Sequence, residues 1–292
     1  MSFVQKKRLT VFDWVNYSLI GLISLLCIFP FFYVFSVSFT DPKAYVPLKF
    51  YLFPDQWSLD SYRYILSTNS FLNALYSTLY ITVIGTILNI VVSFTMAYGL
   101  TKRTLPGYKT LMGMVIFTLV FSAGIVPNYL LVRELGLLNS YWALIWTSLT
   151  NAWSLIVIKS FLDSLPGELE QAAKIDGASD MGVFLRIVIP LSKPAIATFT
   201  LFFAVMHWNT FFNALIYLSD SSKWTLQLFV KTLVIDANSV AVAQAGSSDE
   251  AVMPQETIRM ATIVLSMLPI LLVYPFLQKH FAKGVMLGSV KG

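Results

Sequence analysis

The chain has 292 residues, of which 57% are apolar and only 12% are charged. Soluble domains carry about 25% charged residues, so this composition is typical of a membrane protein and argues against a water-soluble enzyme. The net charge of +5 comes from basic residues that flank apolar runs and form no stripe, which argues against a nucleic-acid partner.

Six apolar runs along the chain are long enough to cross a bilayer. A span needs about 20 mainly apolar residues to cover about 30 Å of hydrocarbon. The first run is longer than the apolar part of a signal peptide and no small-x-small cleavage site follows it, so we expect a retained signal anchor. The spans predicted for this all-α membrane protein are 14–39, 71–99, 110–132, 141–161, 195–218 and 257–277.

The distribution of Lys and Arg orients these spans. With the N-terminus inside, the inner segments hold 13 of these residues and the outer segments hold 7. Cytoplasmic segments of membrane proteins are the richer in Lys and Arg, so both termini are predicted to be cytoplasmic. The polar segment 162–194, between the fourth and fifth spans, then lies in the cytoplasm as well.

Within that polar segment, residues 166–194 contain two short amphipathic helical patterns and are named the elbow. Pro166 suits a first helical turn, and Glu168 and Glu170 place negative charge near the positive end of the helix dipole. Gly177 stands where a helix-ending glycine is expected. The first half of the elbow therefore predicts a helix that ends at a hinge.

The second half of the elbow predicts another helix. Ser179 or Asp180 can cap its start, and Pro190 is expected to end it. An amphipathic segment of this kind either docks onto a cytoplasmic protein or lies on lipid headgroups, and the pattern alone leaves both open. The residues expected on its apolar face are Phe184, Leu185 and Val188.

The elbow also carries a motif. It contains the run Gln171-Ala172-Ala173-x-x-Asp176-Gly177-Ala178, followed by Phe184, Ile187, Pro190 and Lys193-Pro194. This pattern resembles the EAA loop of ABC-importer permeases, most closely those of the carbohydrate-uptake branch. The resemblance implies a type I ABC importer permease fold, in which the elbow forms coupling helices that dock onto a cytoplasmic ATPase.

One position departs from the family pattern. The glutamate that names the motif is replaced by Gln171, which can accept a hydrogen bond but without the strengthening effect of charge. The neighbouring Glu170 faces about 100° away on a helix and is no simple substitute. The coupling residues implied by the resemblance are Glu170, Gln171, Ala172, Ala173, Asp176, Gly177, Ala178, Phe184 and Pro190.

The resemblance further implies three regions and a set of partners. Residues 1–70 form a tail, the first span and an outer segment; residues 71–277 form the permease core; and residues 278–292 form a cytoplasmic tail. The partners are a second, homologous permease, two ATPase subunits that bind ATP and Mg, an extracytoplasmic solute-binding protein and a carbohydrate, at a bacterial inner membrane.

The end of the chain has a distinctive pattern. It resembles the end of the second permease of maltose-type importers, whose tail inserts between the two ATPase subunits. The alternative is a frayed terminus without a partner. The residues concerned are Gly288, Ser289, Val290, Lys291 and Gly292.

Several chemistries are missing from the sequence. The interior of the apolar runs lacks Asp, Glu, Lys and Arg, although Lys159 and Arg259 lie near the ends of their runs, so a buried proton relay is not expected. No phosphate-binding loop is present, and the two histidines and Cys27 form no nucleophile–base set or metal site. We therefore expect no catalytic residue, metal or cofactor in this chain. The alternatives to an ABC permease are an ion-coupled carrier acting alone and a non-transporting assembly protein.

Polar residues in the fourth and fifth runs are candidates for the translocation path. Their amide and indole groups could meet sugar hydroxyls, or they could serve only as interhelical hydrogen bonds and packing. The sequence 207–215 also resembles that of importers of oligosaccharides and polysaccharide fragments, alginate-type importers among them. The candidates are Asn151, Trp153, His207, Trp208, Asn209 and Asn213.

Three further segments carry expectations. Residues 122–127 include Gly124 and Pro127 and predict a kink or a break in the third span near its outer end. The outer segment 40–70 is expected to cap the outer face. The loop 219–256 either reaches toward the solute-binding protein, as the resemblance implies, or serves as a flexible connector.

Overall fold

The computed structural model describes residues 10–235 and 255–284, and these residues form helices joined by short turns, with no β-strand among them. The first seven helices are α1 (Val11–Ser38), α2 (Asp60–Ser67), α3 (Asn69–Thr101), α4 (Tyr108–Val120), α5 (Ile125–Glu134), α6 (Tyr141–Thr147) and α7 (Ala152–Asp163). They are followed by α8 (Gly167–Ile175), α9 (Asp180–Val183), α10 (Ile189–Leu191), α11 (Lys193–Trp208), α12 (Phe212–Tyr217), α13 (Leu226–Ile235) and α14 (Gln255–Gly284).

The described residues divide into two units. One comprises residues 10–68, 233–235 and 255–267, and the other comprises 69–232 and 268–284. The first unit contains α1 and the outer segment that follows it. The second contains α3, the elbow and the broken helices between them.

Two of the predicted spans are single long helices. Helices α1 and α3 have 28 and 33 residues and are apolar enough to cross a membrane. Helix α1 begins at a capping box, in which the Thr10 hydroxyl accepts from the Asp13 N–H and the Asp13 carboxylate accepts from the Thr10 N–H. In the described residues the number of possible crossings rises to five if each bent helix pair is one span, so six spans remain a prediction.

The third predicted span is broken, and the break is much sharper than a kink. Helices α4 and α5 meet at 120°, across residues 121–124. Gly124 has φ +84° and ψ −178°, a conformation that is essentially restricted to glycine. Of the two outcomes that the sequence allowed, the structure has the break, with the change of chain direction made at Gly124.

The fourth and fifth predicted spans are also interrupted, contrary to the continuous helices expected. Helices α6 and α7 meet at 53° across residues 148–151, and residues 209–211 separate α11 from α12. At each break a polar side chain bonds to the backbone next to it. Asn151 caps the start of α7, and the Asn209 amide donates to the Val205 carbonyl at the end of α11.

Helix α3 is the centre of the second unit. It packs against α6, α7 and α11, and a seam of small and polar residues along α3 faces these helices. Small residues allow close helix approach in membranes, where lipid is as apolar as the helix surface. The seam comprises Ser77, Thr78, Gly85, Thr86, Asn89 and Ser93, all buried.

Candidate coupling surface and translocation path

The first half of the elbow ends as its sequence predicts. Gly177 has φ +82°, in the left-handed region. Its N–H donates to the Lys174 carbonyl over 3.1 Å, and the Ala178 N–H donates to the Ala173 carbonyl over 2.9 Å. These two bonds are those of a Schellman motif, which closes the last turn of α8 and reverses the chain at a defined angle.

The second half of the elbow starts at Ser179, whose hydroxyl accepts from the Gly182 N–H over 3.2 Å. After one turn of α9, residues Phe184–Val188 form a π-helical turn, in which the Ile189 N–H bonds to the Phe184 carbonyl. Pro190 has no N–H to continue an ordinary helix, and the helix ends one residue later, at Leu191. Such π turns often mark functional positions.

The second half of the elbow buries some of its apolar side chains and exposes others. Phe184 and Val188 are buried, as the spacing predicts. Leu185, which was predicted on the same face, is instead exposed. The prediction assumed an i, i+1, i+4 stripe wide enough to include Leu185, but only the i, i+4 pair is turned toward the core.

Ion pairs hold the elbow together and to α3. Glu170 pairs with Lys102 at the end of α3 and with Lys174 at 3.4 Å, and Lys174 pairs with Asp180 across the hinge at 2.9 Å. The hydrogen bond from Lys174 lowers the pKa of Asp180, and the same bond raises the pKa of Lys174. Both groups are therefore charged at neutral pH. The pair is lost in acid, as pH falls through the depressed pKa of Asp180, and in strong alkali, as pH rises through the raised pKa of Lys174.

Sequence reasoning missed Lys102. It lies 68 residues before Glu170, and its ammonium is also 4.3 Å from the centre of the Tyr98 ring. Tyr98 in turn stacks on Phe184 at 4.8 Å. The end of α3 thus contacts the first helix of the elbow through a charge and the second through an aromatic ring. A lysine at the end of an apolar run was the only signal available.

The buried face of the elbow is part of a hydrophobic core that includes three other helices. One contiguous cluster joins the elbow to α3, α7 and α11. The elbow and these three helices therefore share one closely packed interior, and such interiors have low compressibility. The cluster comprises Phe94, Ala97, Leu100, Leu155, Ile158, Leu162, Val183, Phe184, Val188, Ala195, Phe199 and Phe203.

The opposite face of the elbow is exposed and partly apolar. Gln171, Ala172 and Ala178 are exposed, as are Asp176 and Gly177 at the hinge, while Ala173 is half-buried. Glu170 and Gln171 therefore have different surroundings, since Glu170 is turned toward Lys102 and Gln171 is turned outward. Large apolar side chains are exposed on the same segment, namely Ile175, Met181 and Leu185.

His207 lies inside the helix bundle. Its Nε2 is 3.1 Å from the Asn89 Oδ1, and the Asn89 amide donates to the Ser148 carbonyl over 2.7 Å. The ring lies directly against Gly85, where an added Cβ would be 2.5 Å from Nε2. One side chain of α3 thus binds both the end of α11 and the break between α6 and α7.

The remaining candidates in the fifth run differ in burial. Trp208 is buried, Asn209 is exposed just after α11, and Asn213 is half-buried in α12. Asn209 and Asn213 do not share a helix face, because residues 209–211 lie outside regular helix and separate α11 from α12. The buried Trp208 Nε1 and His207 Nδ1 have no hydrogen-bond partner among the described residues.

In the fourth run, Asn151 and Trp153 have different surroundings. The Asn151 side-chain Oδ1 accepts from the Ser154 N–H over 2.8 Å and so caps α7. Trp153 is exposed, with Phe199 and Phe202 at 6.3 and 6.0 Å between ring centres. Trp153 therefore adds an exposed aromatic surface beside the break, while Asn151 shapes the break itself.

Two other predictions concern ligands and the end of the chain. The described residues contain no group of three or more His, Cys, Asp or Glu side chains placed to hold a metal ion. The predicted tail contact, Gly288–Gly292, lies outside the described residues.

Comparison with characterised proteins gives a consistent result. The polygalacturonan/rhamnogalacturonan transport system permease protein YtcP of Bacillus subtilis (strain 168) is 47% identical over 98% of this chain and 100% of the relative. Protein LplC of the same organism is 47% identical over 97% of this chain and 95% of its own. Among solved structures, a bacterial ABC transporter involved in the import of the acidic polysaccharide alginate matches with TM-score 0.85 and 32% identity, over 93% of this chain and 96% of the matched chain.

The family predicted from the elbow motif is confirmed by these similarities. Residues 9–287 match the family described as the inner membrane component of binding-protein-dependent transport systems. Because that match spans nearly the whole chain, this protein belongs to the family of binding-protein-dependent transport system inner membrane components.

Proposed function

We propose that this chain is one of two permease subunits of an ATP-driven importer of acidic oligosaccharides and that its elbow carries the mechanical coupling. The observation that supports this most directly is the elbow's two-sided character. One face is exposed and partly apolar, and the other belongs to the core shared by α3, α7 and α11. A segment built in this way converts a push from outside into motion of the transmembrane helices.

The substrate class is supported by the relatives. One is named for polygalacturonan and rhamnogalacturonan, and the matched structure is named for alginate. These polysaccharides share uronic acid residues, which are sugars that carry a carboxylate. The substrate proposed for this chain is therefore an oligosaccharide that contains uronic acids, delivered by an extracytoplasmic solute-binding protein.

In this mechanism ATP is bound and hydrolysed with Mg on two partner ATPase subunits, and the chain itself performs no chemistry. Closure of the ATPase pair moves the elbow, and α3, α7 and α11 follow because they share one core with it. The path then faces outward to receive the sugar, and hydrolysis returns it inward. Gln171, on the exposed face, is placed for the ATPase contact, while Glu170 fastens the elbow to α3.

The broken helices supply polar groups for a path by which the sugar crosses the membrane. Breaks at residues 121–124, 148–151 and 209–211 leave backbone groups outside regular helix, which inside a membrane requires protein, water or substrate as a partner. Exposed Trp153 offers a ring to the apolar face of a sugar, and Asn209 offers an amide to its hydroxyls. A path that lacks acidic side chains also avoids repelling a carboxylate.

A charge-exchange experiment tests the coupling role. The complete transporter, with its partner permease, ATPases and solute-binding protein, is reconstituted in liposomes, and uptake is measured per ATP hydrolysed. Lys102→Glu and Glu170→Lys should each reduce that ratio several-fold, because each places like charges together at the contact between α3 and the elbow. The double exchange restores opposite charges between positions 102 and 170 but leaves Lys174 beside the new lysine, so it should recover part of the coupling.

The control for this experiment is Lys109→Glu, since Lys109 lies exposed in α4, outside the elbow. It should leave coupling unchanged. If the double exchange is no better than the single variants, the contact does not transmit force. If the purified chain alone accumulates solute on an ion gradient, the chain is a secondary carrier and the proposed function is wrong.

A further inference from the structure

The outer segment after α1 does not project away from that helix but folds back along it. The Phe50 ring stacks on Phe29 at 5.5 Å and on Tyr33 at 5.8 Å between ring centres. The Ser36 hydroxyl donates to the Leu52 carbonyl over 2.5 Å. Residues 50–52 therefore run beside the last turns of α1.

The depth of this contact follows from helix geometry. Helix α1 has 28 residues and is about 42 Å long, so it exceeds a hydrocarbon core of about 30 Å by about 6 Å at each end if it is centred. Phe29 lies nine residues before Ser38, which is about 13 Å along the helix. The Phe50 ring is therefore about 7 Å inside the hydrocarbon on the outer side.

The rest of this segment is unusually apolar for a surface loop. Its large apolar side chains are exposed, and together they continue the exposed apolar surface of α1. Leu48 is fully exposed and has φ +67°, a strained conformation for a branched residue at the tip of a turn. The exposed residues are Val46, Leu48, Phe50, Leu52 and Phe53.

Several polar groups of the segment form hydrogen bonds or ion pairs within it. The Val46 N–H donates to the buried Tyr51 hydroxyl over 2.8 Å, and the Lys49 N–H donates to the Val46 carbonyl over 3.3 Å. The Lys49 ammonium pairs with Asp55 and lies 5.2 Å from the centre of the Tyr51 ring. Ion pairing and hydrogen bonding of this kind reduce the cost of placing a loop at the membrane boundary.

Aromatic side chains with a polar end flank the segment. Tyr45 stacks on Tyr51 at 5.5 Å, and Trp57 packs against Phe39 at 5.8 Å. Tyrosine and tryptophan are enriched at the membrane–water boundary because their rings prefer the headgroup level. Their position on both sides of the apolar tip is that of an interfacial belt.

We propose that residues 45–53 form an anchor that inserts into the outer leaflet of the membrane beside α1. The occupant of this apolar surface is lipid and not the solute-binding protein, because the surface is continuous with the lipid-facing side of a membrane-spanning helix. Exposed apolar side chains that enter hydrocarbon stabilise the embedded state, because their apolar area is removed from water. The anchor thereby fixes the depth of α1 at the outer side.

A spin-label experiment tests this proposal. Cys27 is the one cysteine of the chain, so Cys27→Ser gives a background into which Leu48→Cys is introduced and labelled with a nitroxide. The full chain with its partner subunits is placed in nanodiscs, and collisions with lipid-soluble O₂ and water-soluble nickel chelate are compared. We expect O₂ to dominate at position 48 and the nickel chelate to dominate at a Ser222→Cys control, which lies in an exposed polar turn.

Two outcomes would overturn the proposal. Equal accessibility of positions 48 and 222 to the nickel chelate would place the segment in water. Protection of position 48 only after the solute-binding protein is added would make it a protein-docking surface. Phe50→Cys, whose side chain stacks on α1, provides a second label site in case the Leu48 variant fails to fold, and it should show the same preference for O₂.

Discussion

At the residue scale, the contact between α3 and α11 depends on one glycine and one amide. Gly85 leaves room for the His207 ring, and Asn89 binds its Nε2. Since water is scarce at this depth, a buried imidazole nitrogen without a partner is costly. The bond between Asn89 and Nε2 is therefore explained by packing between helices, whereas Nδ1 of the same ring has no partner among the described residues.

Replacing Gly85 by alanine should weaken this contact. The new Cβ would be 2.5 Å from Nε2 and 2.6 Å from the neighbouring ring carbon of His207, so the ring or the helix must move. Overpacking of this kind costs about 1–3 kcal/mol. We expect the variant in detergent to lose half of its monodisperse protein at a lower temperature than the unmodified chain does. Gly99→Ala is the control, because an added Cβ there meets nothing within 4 Å, and an unchanged Gly85→Ala variant would show that the ring has room to move.

A double-mutant cycle tests the bond between Asn89 and His207. Asn89→Leu leaves Nε2 without its partner and should cost about 1–3 kcal/mol, while His207→Phe also removes the group that needs one. The double variant should therefore lose less stability than the two single losses combined, as measured by thermal unfolding of the purified protein. Asn73→Leu, at an exposed position of the same helix, should combine additively with His207→Phe. Additivity at Asn89 would contradict the bond.

At the scale of the helices, the elbow is a pair of short helices whose angle is set by backbone hydrogen bonds. The Schellman motif at Gly177 fixes the first helix, and the ion pair between Lys174 and Asp180 joins it to the second. Neither helix is long enough to be stable alone in water. Their shape therefore depends on the hinge and on the core beneath it.

Gly177→Pro should abolish ATP-coupled uptake while leaving the amount of protein in the membrane unchanged. Proline requires φ near −65°, whereas Gly177 has φ +82°, and proline also removes the N–H that bonds to the Lys174 carbonyl. Gly177→Ala keeps that N–H and should cost only about 1–2 kcal/mol, giving partial uptake.

The matched control for the hinge is Gly167→Ala, at the first residue of the same helix, where an added Cβ meets nothing within 4 Å. It should transport normally in the same liposome assay. Normal uptake by Gly177→Pro would rule out a fixed hinge at this position.

Local signals made part of this structure predictable. A helix-ending glycine at 177 and a capping serine at 179 act on their nearest neighbours, so the sequence indicated both correctly. The sequence did not predict the helix breaks at 148–151 and 209–211, because hydropathy averaged over a whole span changes little with a few polar residues. Asn89 and His207 are 118 residues apart, and no local pattern pairs them. The polar spacing along α3 was the signal that could have identified the seam.

At the scale of the whole molecule, the chain belongs to a family of components of binding-protein-dependent transport systems. The family match extends to residue 287, and in the described residues one face of the elbow is exposed on the surface. The predicted cytoplasmic tail remains a testable feature. Deleting Gly288–Gly292 should lower the stimulation of ATP hydrolysis by loaded solute-binding protein in liposomes, because the tail would no longer contact the ATPase pair. Unchanged stimulation, with normal assembly of the subunits, would refute that contact.

The seam on α3 has a consequence for biosynthesis. Helix α3 leaves the ribosome long before α11, so the Asn89 amide enters the membrane while its later partner has yet to be made. During that interval the Asn89 side-chain oxygen lies in the hydrocarbon of the membrane without the His207 ring as its hydrogen-bond partner. Chains that terminate early, before residue 207, would keep this defect permanently, and quality-control proteases should remove them faster than chains truncated after α11.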